Sequence, residues 1–241
     1  MNHQARGAGG LAPSVIVQSP LLAALDWLEH GFGTRLSPNW PPEGYVNLRQ
    51  IHSDIVVVVA AEGAGAMGHG DAIVSNRPGP WTGVRTADCA PLILADPRHR
   101  AAAVVHAGWR GTVHQIALRA LDRMAAEFGT RPEEAVAAIG PAIGACCYEV
   151  GADVARQFAP WWPERTDLDG QTYVDVAETL RRQLLAAGVR AAYLGVTGEC
   201  TRCGGAGRYH SCRRDGAAAG RMVSAFRILG GAGAGLKSGA S

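Results

Sequence analysis

Two histidines and one cysteine carry the strongest chemical signal in the chain. His52 closes the phrase Leu48-Arg-Gln-Ile-His52, Cys89 sits in Arg85-Thr-Ala-Asp-Cys89-Ala-Pro91, and His106 opens His106-Ala-Gly-Trp-Arg110-Gly111. Two imidazoles and one thiolate bind zinc or copper and leave a fourth position for water or substrate, as a catalytic metal site requires. Any one of the three alone would read as a buried cysteine or a satisfied histidine. Asp88, next to Cys89, is an acceptor for a histidine N–H that would orient the ring.

A second signal follows His106. Ala107-Gly-Trp-Arg110-Gly111 joins a strand to a helix, and an arginine beside a helix start is a natural phosphate or carboxylate site. Gly140-Pro-Ala-Ile-Gly-Ala-Cys-Cys-Tyr-Glu-Val150 reads as a tight loop that brings backbone close to a ligand, with Cys146–Cys147 as a structural pair. Cys200-Thr-Arg-Cys203 has the spacing of a zinc knuckle, and His210 and Cys212 are its candidate partners in a separate structural metal site. The remaining histidines (His3, His30, His69, His99, His114) read as surface or loop residues.

The elements that must position these groups are α/β. Ile55–Ala60 and Asp71–Ser75 read as buried strands, and Pro91–Ala95 and Ala101–His106 as a hairpin around Asp96-Pro-Arg-His-Arg100. The hairpin puts Cys89 and His106 at one end of a sheet; His52 joins them if strand 55–60 neighbours it. Ala135–Gly140, Ala191–Val196 and Met222–Leu229 are further strands. Residues 113–128 have helical periodicity with Thr112 as N-cap, and Asp153–Phe158 and Val174–Ala187 are helical, the latter stopped by Gly188. The expected fold is one α/β domain over 14–229 with a mixed, partly antiparallel sheet, and 1–13 and 230–241 are expected to be flexible ends.

Composition narrows the function classes. The 241 residues include 18% charged residues, below the usual level of about 25%. A net charge of +2 and the absence of a lysine- or arginine-rich run argue against a nucleic-acid partner. No stretch reaches the roughly 18 apolar residues of a membrane span, and Met1–Gly10 lacks the apolar core of a secretory signal. Cytoplasmic residence is therefore expected. Six cysteines there are ligands, nucleophiles or filler rather than a disulfide framework.

Six ordered motifs resemble one family, the laccase-like polyphenol oxidases that also include purine nucleoside phosphorylases and the bacterial peptidoglycan editing factor. They are Gln50-Ile-His52, Gly70-Asp71-Ala72, Thr86-Ala-Asp-Cys89-Ala-Pro91, His106-Ala-Gly-Trp-Arg-Gly111, Ile139-Gly-Pro-Ala-Ile-Gly144 with Cys147-Tyr-Glu-Val-Gly151, and Arg213-Arg-Asp215 with Gly220-Arg-Met222. The resemblance implies an α/β sandwich of cysteine-hydrolase-like type and a metal on His52, Cys89 and His106. It also implies phosphorolysis of adenosine, inosine and methylthioadenosine, with some adenosine deamination. Two positions depart from the family pattern: Ser53 replaces a glycine, and Cys212 replaces an aromatic residue.

On that reading Arg110 clamps phosphate, Arg213 or Arg214 supplements it, and Asp71 and Asp88 are both candidates for proton transfer. The substrates are a nucleoside and phosphate, the cofactor is zinc with copper as the alternative, and the protein is a monomer or small homo-oligomer. Two other chemistries use the same residues. A blue-copper oxidase shares the His₂Cys donor set, but no His-x-His pair and no methionine in a motif supports it. A metal-free hydrolase would use Cys89 as nucleophile and His106 as base, consistent with editing of peptidoglycan precursors. The common zinc deaminase signature is absent, so deamination would need another arrangement.

Overall fold

The computed structural model describes residues 15–42, 44–59, 65–204 and 207–230. Strands numbered in chain order form two six-stranded sheets and a two-stranded one, β11 (Glu149–Val150) with β12 (Thr172–Tyr173). The front sheet holds β1 (Ile16–Val17), β2 (Leu28–Gly33), β3 (Tyr45–Arg49), β5 (Gly65–His69), β7 (Trp81–Thr86) and β14 (Met222–Ile228), in the order β1-β2-β14-β7-β3-β5. The back sheet holds β4 (Val56–Val58), β6 (Ala72–Ser75), β8 (Ala90–Asp96), β9 (Ala101–Ala107), β10 (Val136–Ile139) and β13 (Leu194–Val196), in the order β13-β10-β8-β9-β6-β4. Both mix parallel and antiparallel pairs. The architecture is thus α/β with two mixed sheets, where the sequence led us to expect one.

The hairpin is the centre of the molecule. Every residue of β8 and β9 is buried, because both faces of the back sheet are covered. Side chains alternate across a strand, so Leu92, Leu94, Ala101, Ala103 and Val105 pack on the helices. Ile93, Ala95, Ala102 and Val104 pack instead on front-sheet residues such as Phe32, Val46, Val84 and Phe226. The same parity turns Cys89 and His106 toward the front sheet.

The helical layer differs in detail from the expected 113–128 helix. After the one-turn α1 (Pro20–Ala23), a short helix, α2 (Trp109–Val113), starts directly after β9 on Gly108. Gln115 then takes a left-handed conformation (φ +63°), which breaks the helix before α3 (Ile116–Phe128). Thr112 is therefore inside α2 rather than a cap, and its carbonyl accepts a hydrogen bond from Gln183 Nε2 at 2.8 Å. The apolar face of α3 is buried as its periodicity required: Ile116, Ala117, Ala120, Leu121 and Met124. A third helix, α5 (Val176–Ala186), is capped by the Asp175 carboxylate, which accepts from the Glu178 N–H, and Gly188 (φ +100°) ends it.

Three shorter segments also depart from expectation. Residues 152–155 are α-helical, but Arg156–Trp161 continues as a 3₁₀ turn containing Pro160. Ala191–Tyr193 is likewise 3₁₀, and only Leu194–Val196 forms a strand. His30, expected at the surface, is buried in β2, where its Nε2 accepts the Ser19 N–H at 2.9 Å. Of the expected flexible ends, 1–13 and 231–241 lie outside the described residues. No described helix is long and apolar enough to cross a membrane.

Candidate active site

His106 is the next-to-last residue of β9, paired with Pro91 on β8; Cys89 immediately precedes β8, two residues before Pro91. Such diagonal neighbours are within reach of long side chains. Asp88, at φ +90°, makes the turn from β7 that presents the Cys89 thiol. The third ligand arrives differently from the sequence expectation. Strand β4 does not touch the hairpin, because β6 lies between them. The loop before β4 crosses the end of β6 and is tied there by Asp71, the residue preceding β6.

Asp71 is fully buried and receives five hydrogen bonds. The backbone N–H groups of Ile51, His52 and Ser53 point at its carboxylate, at 3.3, 3.0 and 2.6 Å. The Ser53 hydroxyl donates at 2.7 Å and His106 Nδ1 at 2.8 Å. Burial pushes the Asp71 carboxyl up, but the donors on His106 and Ser53 outweigh it and hold the group down to about 2. His52 accepts a left-handed backbone (φ +59°) to make this turn. Asp71 thus plays the ring-orienting part expected of Asp88, and the Ser53 hydroxyl adds a donor to it.

The three ligand atoms lie within 4.8 Å of one another. Cys89 Sγ is 3.9 Å from His52 Nε2, and the two imidazole rings are edge-to-face at 4.8 Å between centroids. Donors around one tetrahedral zinc are about 3.3–3.8 Å apart, so small adjustments close the set on a metal. With Nδ1 given to Asp71, His106 keeps Nε2 for that purpose. Gly108 supplies the room: a Cβ there would be 2.9 Å from His52 Cδ2 and 3.2 Å from Cys89 Sγ. The donor chemistry and the glycine cradle both fit a bound metal.

Charge within the trio is also set. Burial raises the Cys89 thiol, yet His106 and His52 beside the sulfur bring it down to about 6. Burial lowers His106, yet Asp71 and Cys89 lift it to about 9. A thiolate is the form a metal needs.

The trio borders a cavity of about 800 Å³ that exposes Asp88 and Arg213, with Tyr148 and Ile143 along one side. Asp88 is held by the Thr201 hydroxyl at 2.6 Å and the Arg213 N–H at 2.7 Å. The Arg213 guanidinium donates to the Glu149 carbonyl at 2.8 Å and lies over the Tyr148 ring. Burial pushes the Tyr148 phenol up to about 12, so it faces the cavity protonated. Three further arginines line the space, Arg49, Arg85 and Arg221, all within the quoted motifs but without a role expected of them there. Arg49 and Arg85 sit three and four residues before His52 and Cys89, on strand ends within the ligand phrases themselves. That proximity is the signal by which they were legible.

Three residues expected at the site stand elsewhere. Arg110 is exposed, with its guanidinium over the Trp109 ring, and is not part of the cavity lining. Arg214 is spent on the Thr201, Arg202 and Tyr209 carbonyls and on Asp215. Asp71 lies behind the ligands. Cys212 lines the cavity, whereas His210 packs against Gly220, so neither joins Cys200 and Cys203.

The model of the multi-copper polyphenol oxidoreductase laccase family matches residues 35–228. The chain belongs to this family. Among its relatives, a purine nucleoside phosphorylase of Deinococcus radiodurans is 41% identical over 185 residues, covering 75% of this chain and 68% of the relative. One of Bacteroides thetaiotaomicron is 38% identical over 167 residues, 66% of this chain and 62% of the relative. A protein named adenosine deaminase RL5, from an unknown prokaryotic organism, is 35% identical over 190 residues, covering 73% and 72%. The solved structure of YlmD from Geobacillus stearothermophilus superposes with a TM-score of 0.78 at 27% identity, over 90% of this chain and 100% of that one. The relatives' names support enzyme status for the family, and two clusters among the described residues, one of four cysteines and one of His52, Cys89 and His106, suggest metal binding.

Proposed function

We propose that residues 14–229 form a zinc-dependent purine nucleoside phosphorylase that takes adenosine, inosine and methylthioadenosine, with adenosine deamination as a second activity. The observation that carries this reading is the cavity's charge: four arginines and a single carboxylate, Asp88, surround the metal ligands. Such a lining favours a dianion such as phosphate, and the relatives named phosphorylase fit it.

In the reaction a phosphate oxygen bonds to C1′ of the ribose as the C1′–N9 bond breaks, and the electron pair leaves with the purine. Arg49, Arg85, Arg213 and Arg221 hold the phosphate and offset its charge. Asp88, fixed by Thr201 and the Arg213 N–H, is the proton-transfer group, and Asp71 is a positioning residue behind His106 and His52. His52, Cys89 and His106 would hold zinc, which would supply Lewis-acid polarisation of an oxygen in the cavity.

The test is incubation with adenosine and phosphate: adenine and ribose 1-phosphate are expected, and Cys89→Ala should abolish their release. Free ribose in place of the phosphate ester would overturn phosphorolysis.

The Cys89–His106 pair favours a second reading, a metal-free hydrolase. Without a metal, the shifts to about 6 and about 9 describe a thiolate beside an imidazolium, the resting state of a cysteine nucleophile. An active protein free of zinc would select it.

A further inference from the structure

Four cysteines that lie far apart in the sequence converge at the back of the cavity wall. Strands β10 and β13 run parallel, with Ile139 beside Val196, so the loops that follow them travel together. A bridge between Ala142 and Cys200 continues the pairing. It brings the vicinal pair Cys146–Cys147 onto the Cys200-x-x-Cys203 turn, and the four Sγ atoms lie within 4.8 Å of one another. Cys146 and Cys203 are 3.5 Å apart at sulfur.

We propose that Cys146, Cys147, Cys200 and Cys203 bind one structural zinc ion, a site distinct from that of His52, Cys89 and His106. Sulfurs around a tetrahedral zinc are about 3.8 Å apart, given Zn–S bonds of about 2.3 Å, and four sulfurs already within 4.8 Å of one another reach that spacing by small side-chain adjustments. A second, independent feature points the same way. The Gly144 N–H donates to Cys200 Sγ at 3.3 Å, and backbone N–H donors to a ligand sulfur are what supports a thiolate on a metal. None of the six cysteines is disulfide-bonded.

The site would clamp two loops that build the substrate cavity. Ile143 and Tyr148, on either side of the vicinal pair, line it. Thr201, inside the CxxC turn, holds Asp88, and the Ile143 N–H donates to the Asp88 carbonyl at 2.9 Å. Four thiolates with every position filled leave no place for substrate, which makes this a closed, structural metal.

The test does not depend on the reaction catalysed. Zinc is measured in the purified full chain carrying Cys89→Ala, with X-ray absorption at the zinc edge. About one zinc per chain with four sulfur neighbours near 2.3 Å is expected. In the otherwise native chain, Cys203→Ser should lower the zinc content by about one per chain. Should Cys89→Ala not fold, this second comparison decides alone. A zinc-free Cys89→Ala protein, a shell of nitrogen or oxygen, iron in place of zinc, or a Cys146–Cys203 disulfide found by non-reducing mass spectrometry would each overturn the proposal.

Discussion

The Oδ1 atom of Asp71 accepts from His106 Nδ1 at 2.8 Å and from the His52 backbone N–H at 3.0 Å. One buried carboxylate thus orients two ligands, one on β9 and one in the loop before β4. Asp71→Asn should leave a folded protein whose zinc affinity falls about 10- to 100-fold, the usual effect of losing a group that orients a ligand. If activity fell while zinc content and affinity stayed native, Asp71 would be a proton carrier instead. Ser53→Ala, which removes one of the five donors, should cost about 1 kcal/mol in urea unfolding with the metal retained.

Gly108 keeps the ligands together by having no side chain. Its backbone (φ −73°) tolerates alanine, but the new methyl would be 2.9 Å from the His52 ring. Gly108→Ala should therefore fold and lose most of its bound metal, as read by elemental analysis beside circular dichroism. Full metal occupancy in that variant would contradict the geometry.

The arginines divide into two groups that mutation should separate. Arg85→Met, in the cavity, should raise KM for phosphate by about 10-fold or more, the scale of one charge-assisted hydrogen bond. Arg214→Met should lower the unfolding temperature, because three carbonyls lose their donor. Arg110→Met should do little to KM for phosphate. A large KM effect at Arg110 and none at Arg85 would return the anion site to the start of α2.

His30 sets a pH dependence of stability. Burial lowers its pKa from 6.5 to about 4, and the neutral ring accepts the Ser19 N–H. A histidine depressed in the folded state gives stability that is complete above 6.5 and is lost as pH falls toward 4, at roughly 1.4 kcal/mol for each unit of the difference. His30→Gln, with no ionising group, should flatten the denaturation midpoint across pH 6.5–4 relative to the native chain. An unchanged slope would remove His30 from the acid response.

The back sheet was legible in the sequence because its strands are apolar runs, and the four central ones, β6, β8, β9 and β10, are buried on both faces. The front sheet was not, apart from β14. Strand β2 reads Leu-Glu-His-Gly-Phe-Gly, and glycines normally mark turns. Here Gly31 and Gly33 make room for Trp40, which a Cβ would meet at 2.8 and 3.1 Å. At the site, the motifs brought out His52, Cys89 and His106, but not the division of labour between Asp71 and Asp88. That division depends on which carboxylate lies beneath the loop at 51–53, a consequence of β6 intervening between β4 and the hairpin. The pairing of Cys146–Cys147 with Cys200–Cys203 was hidden for a similar reason: parallel strands β10 and β13 create it across more than fifty residues.

The most direct measurement is the initial rate of adenine release from adenosine as phosphate is varied from none to saturation. A rate near zero without phosphate is expected, with saturable dependence on its concentration and ribose 1-phosphate equal in amount to adenine. Adenine or inosine formed at a rate indifferent to phosphate would contradict phosphorolysis.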